Sequence, residues 1–124
     1  MKITFTTEDN IYHIQLVGDL EPKTFSVLRS TLLQAIIAKK ANKEVWLDCS
    51  MLTSITPEAI EFLILYQYIL KQRNINFLLI QLNQQIQYLF NTTQLDATIP
   101  VVPNKELAYY LYHSNQLNSL ANYS

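Results

Sequence analysis

Apolar and polar residues alternate at both ends of the first seventeen positions. Over Lys2–Thr7, Ile3 and Phe5 fall on one side; over Ile11–Val17, Tyr12, Ile14 and Leu16 share a side and His13 lies opposite, an exposed strand position. A period of two predicts strands. Glu8-Asp9-Asn10 between them predicts a turn, so the chain opens with a β-hairpin that is expected to stop at Gly18, its one glycine. The period then lengthens. Phe25, Leu28, Leu32, Ala35 and Ile36 recur at helical spacing, which predicts an amphipathic helix over Pro22–Lys40 with proline in its first turn. Lys43–Leu47 is expected to be a short buried strand and Asp48–Ile55 a connector, with Thr53 and Ser54 as loop hydroxyls.

Thr56-Pro57-Glu58 is a helix start: the threonine caps, the proline suits the first helical position, and the carboxylate meets the positive end of the helix dipole. The helix is expected to run to Gln72. Ile75–Leu82 is almost wholly apolar, the mark of a strand covered on both faces. Asn83 opens a further helix with Ile86, Leu89 and Phe90, and Ile99–Val102 reads as a short strand. Pro103-Asn104-Lys105-Glu106 starts a last helix with Leu107, Tyr110 and Leu111 inward. The order predicts one α/β domain with a mostly parallel sheet of four to five strands, an N-terminal hairpin and about four helices. Residues 1–113 form this domain and 114–124 an extension, helical or frayed.

At 124 residues and 49% hydrophobic, the chain supports one core. Only 15% of residues are charged and the net charge is −1, which argues against a nucleic-acid surface. The lone Cys49 leaves no internal disulfide and no cysteine-based metal site; after a buried strand it reads as an inert small hydrophobe. His13 and His113, the latter at the end of the last helix, lie far apart without ligands at metal spacing. A single glycine rules out the Gly-rich phosphate loops and the nucleophile elbow. The start, MKITFTTEDN, lacks an apolar leader, and the apolar stretch Ala59–Leu70 is too short to span a bilayer. These features predict a cytoplasmic protein without catalysis, cofactor, metal or direct membrane insertion.

Several segments, in order, resemble the STAS domain family of anti-sigma factor antagonists. Val17-Gly18-Asp19-Leu20 resembles its Gly-acid-Leu turn, and Val45-Trp46-Leu47-Asp48-Cys49-Ser50 its hydrophobic strand ending in Asp-x-Ser. Thr93-Gln94-Leu95-Asp96 is similar to its small-Gly-Leu-acid segment, and Glu106-Leu107-Ala108 to its closing helix. The resemblance implies a bacterial signalling module that regulates transcription by partner switching. In that family an anti-sigma factor that is also a serine kinase, with a histidine-kinase-like ATPase fold, phosphorylates the second serine of Asp-Ser-Ser-Gly. Thr56, Pro57, Glu58 and Ala59 occupy those positions here, so the acceptor is replaced by Glu58 and the usual switch is expected to be lost.

Glu58 has two compatible readings: a first-turn carboxylate that stabilises the helix by about 0.3–1 kcal/mol, or a permanent charge where phosphate would arrive, against about −1.5 to −2 for phosphoserine. Thr56, Ser54 or Thr53 is the candidate for a displaced acceptor. On a helical wheel, Glu58, Glu61, Leu65, Tyr68, Ile69 and Gln72 share one arc, which is either buried or an acid-rimmed docking patch. Asp19 and Glu21, in the loop before the first helix, are either a solvated turn or part of that patch. The expected partner-binding set is Asp19, Glu21, Ser54, Thr56, Pro57, Glu58, Glu61, Leu65 and Tyr68. Alternative functions are a cytosolic accessory subunit of a lipid ABC transporter, or a small-ligand or nucleotide sensor.

Overall fold

In the computed structural model, which describes residues 1–92 and 99–122 and side chains as far as Ser114, five strands form one sheet in the order β1-β2-β3-β4-β5. They are β1 (Lys2–Glu8), β2 (Ile11–Leu20), β3 (Glu44–Ile55), β4 (Asn76–Ile80) and β5 (Val101–Val102). β1 pairs antiparallel with β2, and the other neighbours are parallel. The helices are α1 (Phe25–Ile37), preceded by a 3-10 turn at Pro22–Thr24, then α2 (Pro57–Gln72), α3 (Gln84–Thr92) and α4 (Lys105–Asn122).

The strand order explains where the helices lie. From β2 to β5 the chain always steps to the next strand in the same direction, and such crossovers are right-handed. Their helices therefore stack on one face. The main core confirms this, joining Tyr12, Ile14 and Leu16 of β2 to Leu28 and Leu32 of α1, Leu63 and Tyr66 of α2, and Phe90 of α3. Each fully buried large side chain of this kind contributes about 1.5–3 kcal/mol. α4 follows the last strand and has no crossover to complete. It packs on the opposite face, where Ala108 and Tyr112 meet Ile11, Trp46, Ile80 and Val102.

Several elements differ from the sequence pattern. β2 does not stop at Gly18 but continues to Leu20, with register irregularities at Gln15/Val17 and Gly18/Asp19. Gly18 takes φ +111°, a conformation that L side chains rarely adopt, so the glycine lets the strand bend instead of ending it. The expected connector Asp48–Ile55 is the second part of β3, where Leu52 and Ile55 are buried and Thr53 and Ser54 between them are exposed, paired with β2 through two register shifts. α1 ends at Ile37 rather than Lys40 because Ala38 is extended. β4 is shorter than Ile75–Leu82, and β5 starts at Val101 rather than Ile99.

α4 is also turned relative to expectation. Leu107, Tyr110 and Leu111 are outward, Tyr110 being 67% exposed, and Ala108, Tyr109 and Tyr112 face the sheet. Trp46 explains the choice: Tyr109 and Tyr112 set their rings edge-on to the indole, at centroid distances of 4.8 and 6.2 Å. His113 stands within the helix, which runs on to Asn122, and stacks on Tyr112.

Candidate functional site

The ends of β2 and β3 meet at the start of α2. Asp19 pairs with Ser54 and Leu20 with Ile55 across the parallel ladder. The Ser54 hydroxyl donates to Asp19 Oδ1 at 2.7 Å, a charge-assisted bond that ties the end of β2 to the end of β3, so Asp19 is a strand residue and not part of the loop before the first helix. Ser54 is therefore a strand residue bonded across the sheet, not a loop hydroxyl serving its own backbone. The Thr56 N–H donates to Leu20 O at 3.2 Å, and Thr56 Oγ1 accepts from the Ala59 N–H at 3.2 Å. Thr56 is thus the N-cap, with Pro57 at the first helical position and Glu58 in the first turn, as the residue types dictate.

Asp19, Ser54, Pro57 and Glu58 are all exposed. Glu21 is not drawn into this group. Its N–H donates to Thr24 Oγ1 at 3.1 Å and its carboxylate lies 3.2 Å from Lys23 Nζ, a local surface ion pair. Thr24 in turn donates to the carbonyls of Asp19 and Glu21, which holds the turn that presents Asp19.

Along α2, residues 58, 61, 65 and 68 are separated by three, four and three positions and line one stripe about 15 Å long. Glu58 and Glu61 are exposed, and Leu65 and Tyr68 are 54% and 62% exposed. The opposite side, with Ala59, Ile60, Phe62, Leu63, Tyr66 and Leu70, is buried. Of the two readings of this helix, the open arc holds: two large apolar side chains and two carboxylates share a free face. Ile69 at its margin is half-buried.

A second polar group lies on the α4 face, and the sequence pattern did not expose it. His13 is half-buried rather than exposed. It sits edge-on to Trp46 at 5.3 Å, with Nε2 3.3 Å from Glu8 Oε2. Tyr109 donates to the same Glu8 oxygen at 2.7 Å. Burial lowers the His13 pKa, and Lys105 adds to that, against the opposing pull of Glu8 and Asp48. Burial, with help from Glu8, pushes the Tyr109 phenol up to about 12. Asp48 is buried, which alone would raise its pKa, but the Ser50 N–H at 2.9 Å, the Ser50 hydroxyl and Lys105 at 3.5 Å together hold it below the usual carboxylate range. The Asp-x-Ser pattern is thus a local carboxylate-to-backbone brace. A cavity of about 120 Å³ lies against Thr4, His13, Gln15, Asp48 and Lys105.

Two buried charges were also missed. Lys43 donates to the carbonyls of Ala35, Ile36 and Ala38 at 2.8, 3.0 and 2.7 Å, closing the end of α1. Glu44 accepts from the Trp46 indole N–H at 3.0 Å. A cation just past a helix C-terminus was the available signal for Lys43. Cys49 is buried, and burial drives its thiol far above the ordinary range, so it does not present a thiolate nucleophile. Among the described residues no group of three or more His, Cys, Asp or Glu side chains is placed to hold a metal ion, and no helix is long and apolar enough to cross a membrane. The Thr93–Asp96 segment lies outside the described residues.

The fold recurs in solved structures. A candidate anti-sigma factor antagonist from Thermotoga maritima superposes with a TM-score of 0.77 at 15% identity, over 87% of this chain and 92% of that one. An anti-sigma factor antagonist from Mycobacterium paratuberculosis gives 0.74 at 16% identity, over 89% and 92%. The anti-sigma factor antagonist SpoIIAA in its unphosphorylated form gives 0.67 at 13% identity, over 90% and 98%. At these identities the likeness is one of fold. No curated protein sequence matches the chain significantly. The family model described as "Mlab, STAS domain" matches residues 3–103, most of the chain. The chain therefore belongs to the STAS domain family, in the branch that this model describes.

Proposed function

We propose that the protein is a cytoplasmic, non-catalytic docking module of the anti-sigma antagonist kind, whose binding face is the start and outer stripe of α2 with the Asp19 end of β2 beside it. One observation carries the reading: Glu58, Glu61, Leu65 and Tyr68 share an exposed stripe that continues into the Asp19–Ser54 pair. Apolar side chains with a charged rim are what a protein interface of modest size uses. Asp19, Ser54, Thr56, Pro57 and Glu58 form its upper part, Glu61, Leu65 and Tyr68 its length, and Glu21 its margin. The partner is a protein of the kinase-type anti-sigma class, and Glu58 makes the interaction constitutive, because a carboxylate sits where phosphate would be transferred.

The test is capture of partners by the native chain and by Tyr68→Ala and Glu61→Lys. Recovery of a kinase-type anti-sigma protein that both variants lose supports the reading, and incubation with that kinase should leave the mass unchanged. Phosphate on Thr56 or Ser54 overturns the constitutive state. Glu58→Ser with unaltered affinity reduces Glu58 to a helix-stabilising charge. A second reading, an accessory subunit of a lipid transporter, is favoured by the exposure of two large apolar side chains, Leu65 and Tyr68, on one helix face. Recovery of a transporter ATPase in place of a sigma regulator selects it.

A further inference from the structure

β1 is the terminal strand of the sheet. Its seven residues run in unbroken register with β2, from Lys2↔Val17 to Glu8↔Ile11, without bulge or proline. Proteins normally blunt such an edge with bulges, prolines or charges along it. Here the only charges are Lys2 and Glu8, one at each end, with Ile3, Thr4, Phe5, Thr6 and Thr7 between.

The hairpin fixes which backbone groups are free. A two-residue loop makes Glu8 and Ile11 the closing pair, and that pair exchanges hydrogen bonds. Even-numbered residues of β1 therefore bond to β2, and the N–H and C=O groups of Ile3, Phe5 and Thr7 point outward. A second strand must place its own outward groups against them.

We infer that this second strand is β1 of another copy, antiparallel, with a twofold axis at Phe5. In that register Ile3 faces Thr7 and Phe5 faces Phe5, so every outward group meets an outward group. Lys2 of each copy then stands across from Glu8 of the other, and Thr4 across from Thr6. Sliding the pair by two residues preserves the backbone match but puts Lys2 opposite Thr6 or Asn10 and loses both charge pairs. Charge complementarity thus selects one register and selects a second copy, since the sequence is complementary to itself. Lys2 has no ion-pair partner among the described residues, and Glu8 remains 55% exposed beside His13. Phe5, only half-buried against the core, gains cover from Phe5 of the second copy, and Ile3 from its Thr7 and, on the diagonal, its Phe5. The two five-stranded sheets become one sheet of ten. The α2 stripe takes no part in it, so this contact stands independently of the proposed function.

Sedimentation velocity and native mass spectrometry test it. The native chain should be dimeric. Thr7→Pro removes an outward N–H without touching the bonds to β2, and it should give a folded monomer. Lys2→Glu and Glu8→Lys should each weaken the dimer by about tenfold or more, because each places like charges opposite. An equimolar mixture of those two variants should form the heterodimer, in which opposite charges face again. That recovery reads the register even if Thr7→Pro fails to fold. A monomeric native chain, a dimer indifferent to all three changes, or a mixture without heterodimer overturns the inference.

Discussion

Lys43→Met is the sharpest test of how α1 is held. Methionine keeps most of the lysine stem, so the change removes little packing and deletes the ammonium. Three hydrogen bonds go with it, to Ala35, Ile36 and Ala38 at 2.7–3.0 Å. Two of these carbonyls are among the last of α1, which have no partner within the helix. Hydrogen bonds to charged donors contribute about 1.5–3 kcal/mol each when deleted singly, and a cation at a helix C-terminus adds about 0.3–1 kcal/mol. The values do not sum, because burial of the ammonium opposes them, and burial lowers the Lys43 pKa accordingly. The net expectation is a loss of about 2–4 kcal/mol. At 124 residues, 1 kcal/mol corresponds to about 4 °C in Tm. Urea denaturation at pH 7 should therefore show a lower midpoint at constant slope, with Tm down by about 8–15 °C. Lys40→Met is the matched control: Lys40 donates to the exposed Asp9 carbonyl at 3.2 Å and lies 5.9 Å from the Tyr12 ring centroid, and its removal should cost under about 1 kcal/mol. Equal effects from the two, or a gain on removing Lys43, would refute the claim that the buried ammonium closes the helix.

Thr56→Ala should cost about 1 kcal/mol in the same assay, because the cap to the Ala59 N–H is lost; no change would mean that Pro57 and Glu58 suffice to start α2. Tyr109→Phe deletes the 2.7 Å bond to Glu8 and should cost about 1 kcal/mol, read as a shift in Tm. Burial lowers the His13 pKa in the fold, so the unfolded chain takes up its proton at higher pH than the folded one. Stability should then fall as pH drops through the ordinary imidazole range, and His13→Gln should flatten that part of the profile. Asp48, whose folded pKa is depressed, stabilises above the carboxylate range and loses this only as pH falls further, so acid unfolding should persist in the His13→Gln variant.

Much of the fold was legible because its signals were local. Thr56-Pro57-Glu58 announced α2, and the alternation of Tyr12, Ile14 and Leu16 announced the inner face of β2. What was not legible depended on contacts from outside the segment. Cys49, Leu52 and Ile55 recur every three residues, out of step with a strand's period of two, yet pairing with β2 carries β3 to Ile55. Leucines at 107 and 111 suggested the inward side of α4, but Trp46 on the sheet selects flat rings, so Tyr109 and Tyr112 turn in instead. His13 read as exposed because its cover, α4, comes from nearly a hundred residues later. At the candidate site, the sequence placed Glu58, Glu61, Leu65 and Tyr68 on one stripe correctly. It could not bring Asp19 and Ser54 together, since their contact exists only through the β2–β3 register.

Gly18 sets how that contact is made. A single residue with a left-handed backbone divides β2 into two lengths with different duties. The length before it is committed to the core through Tyr12, Ile14 and Leu16, and any movement there would open the whole sheet. The length after it carries Asp19 and is joined to the rest through a joint that no other residue type accepts without about 1–3 kcal/mol of strain. Selection can therefore retune the angle at which the Asp19 carboxylate meets the Ser54 hydroxyl without disturbing the strand that holds the domain together. The setting of the Asp19 carboxylate and the stability of the core occupy one continuous strand and remain separately adjustable.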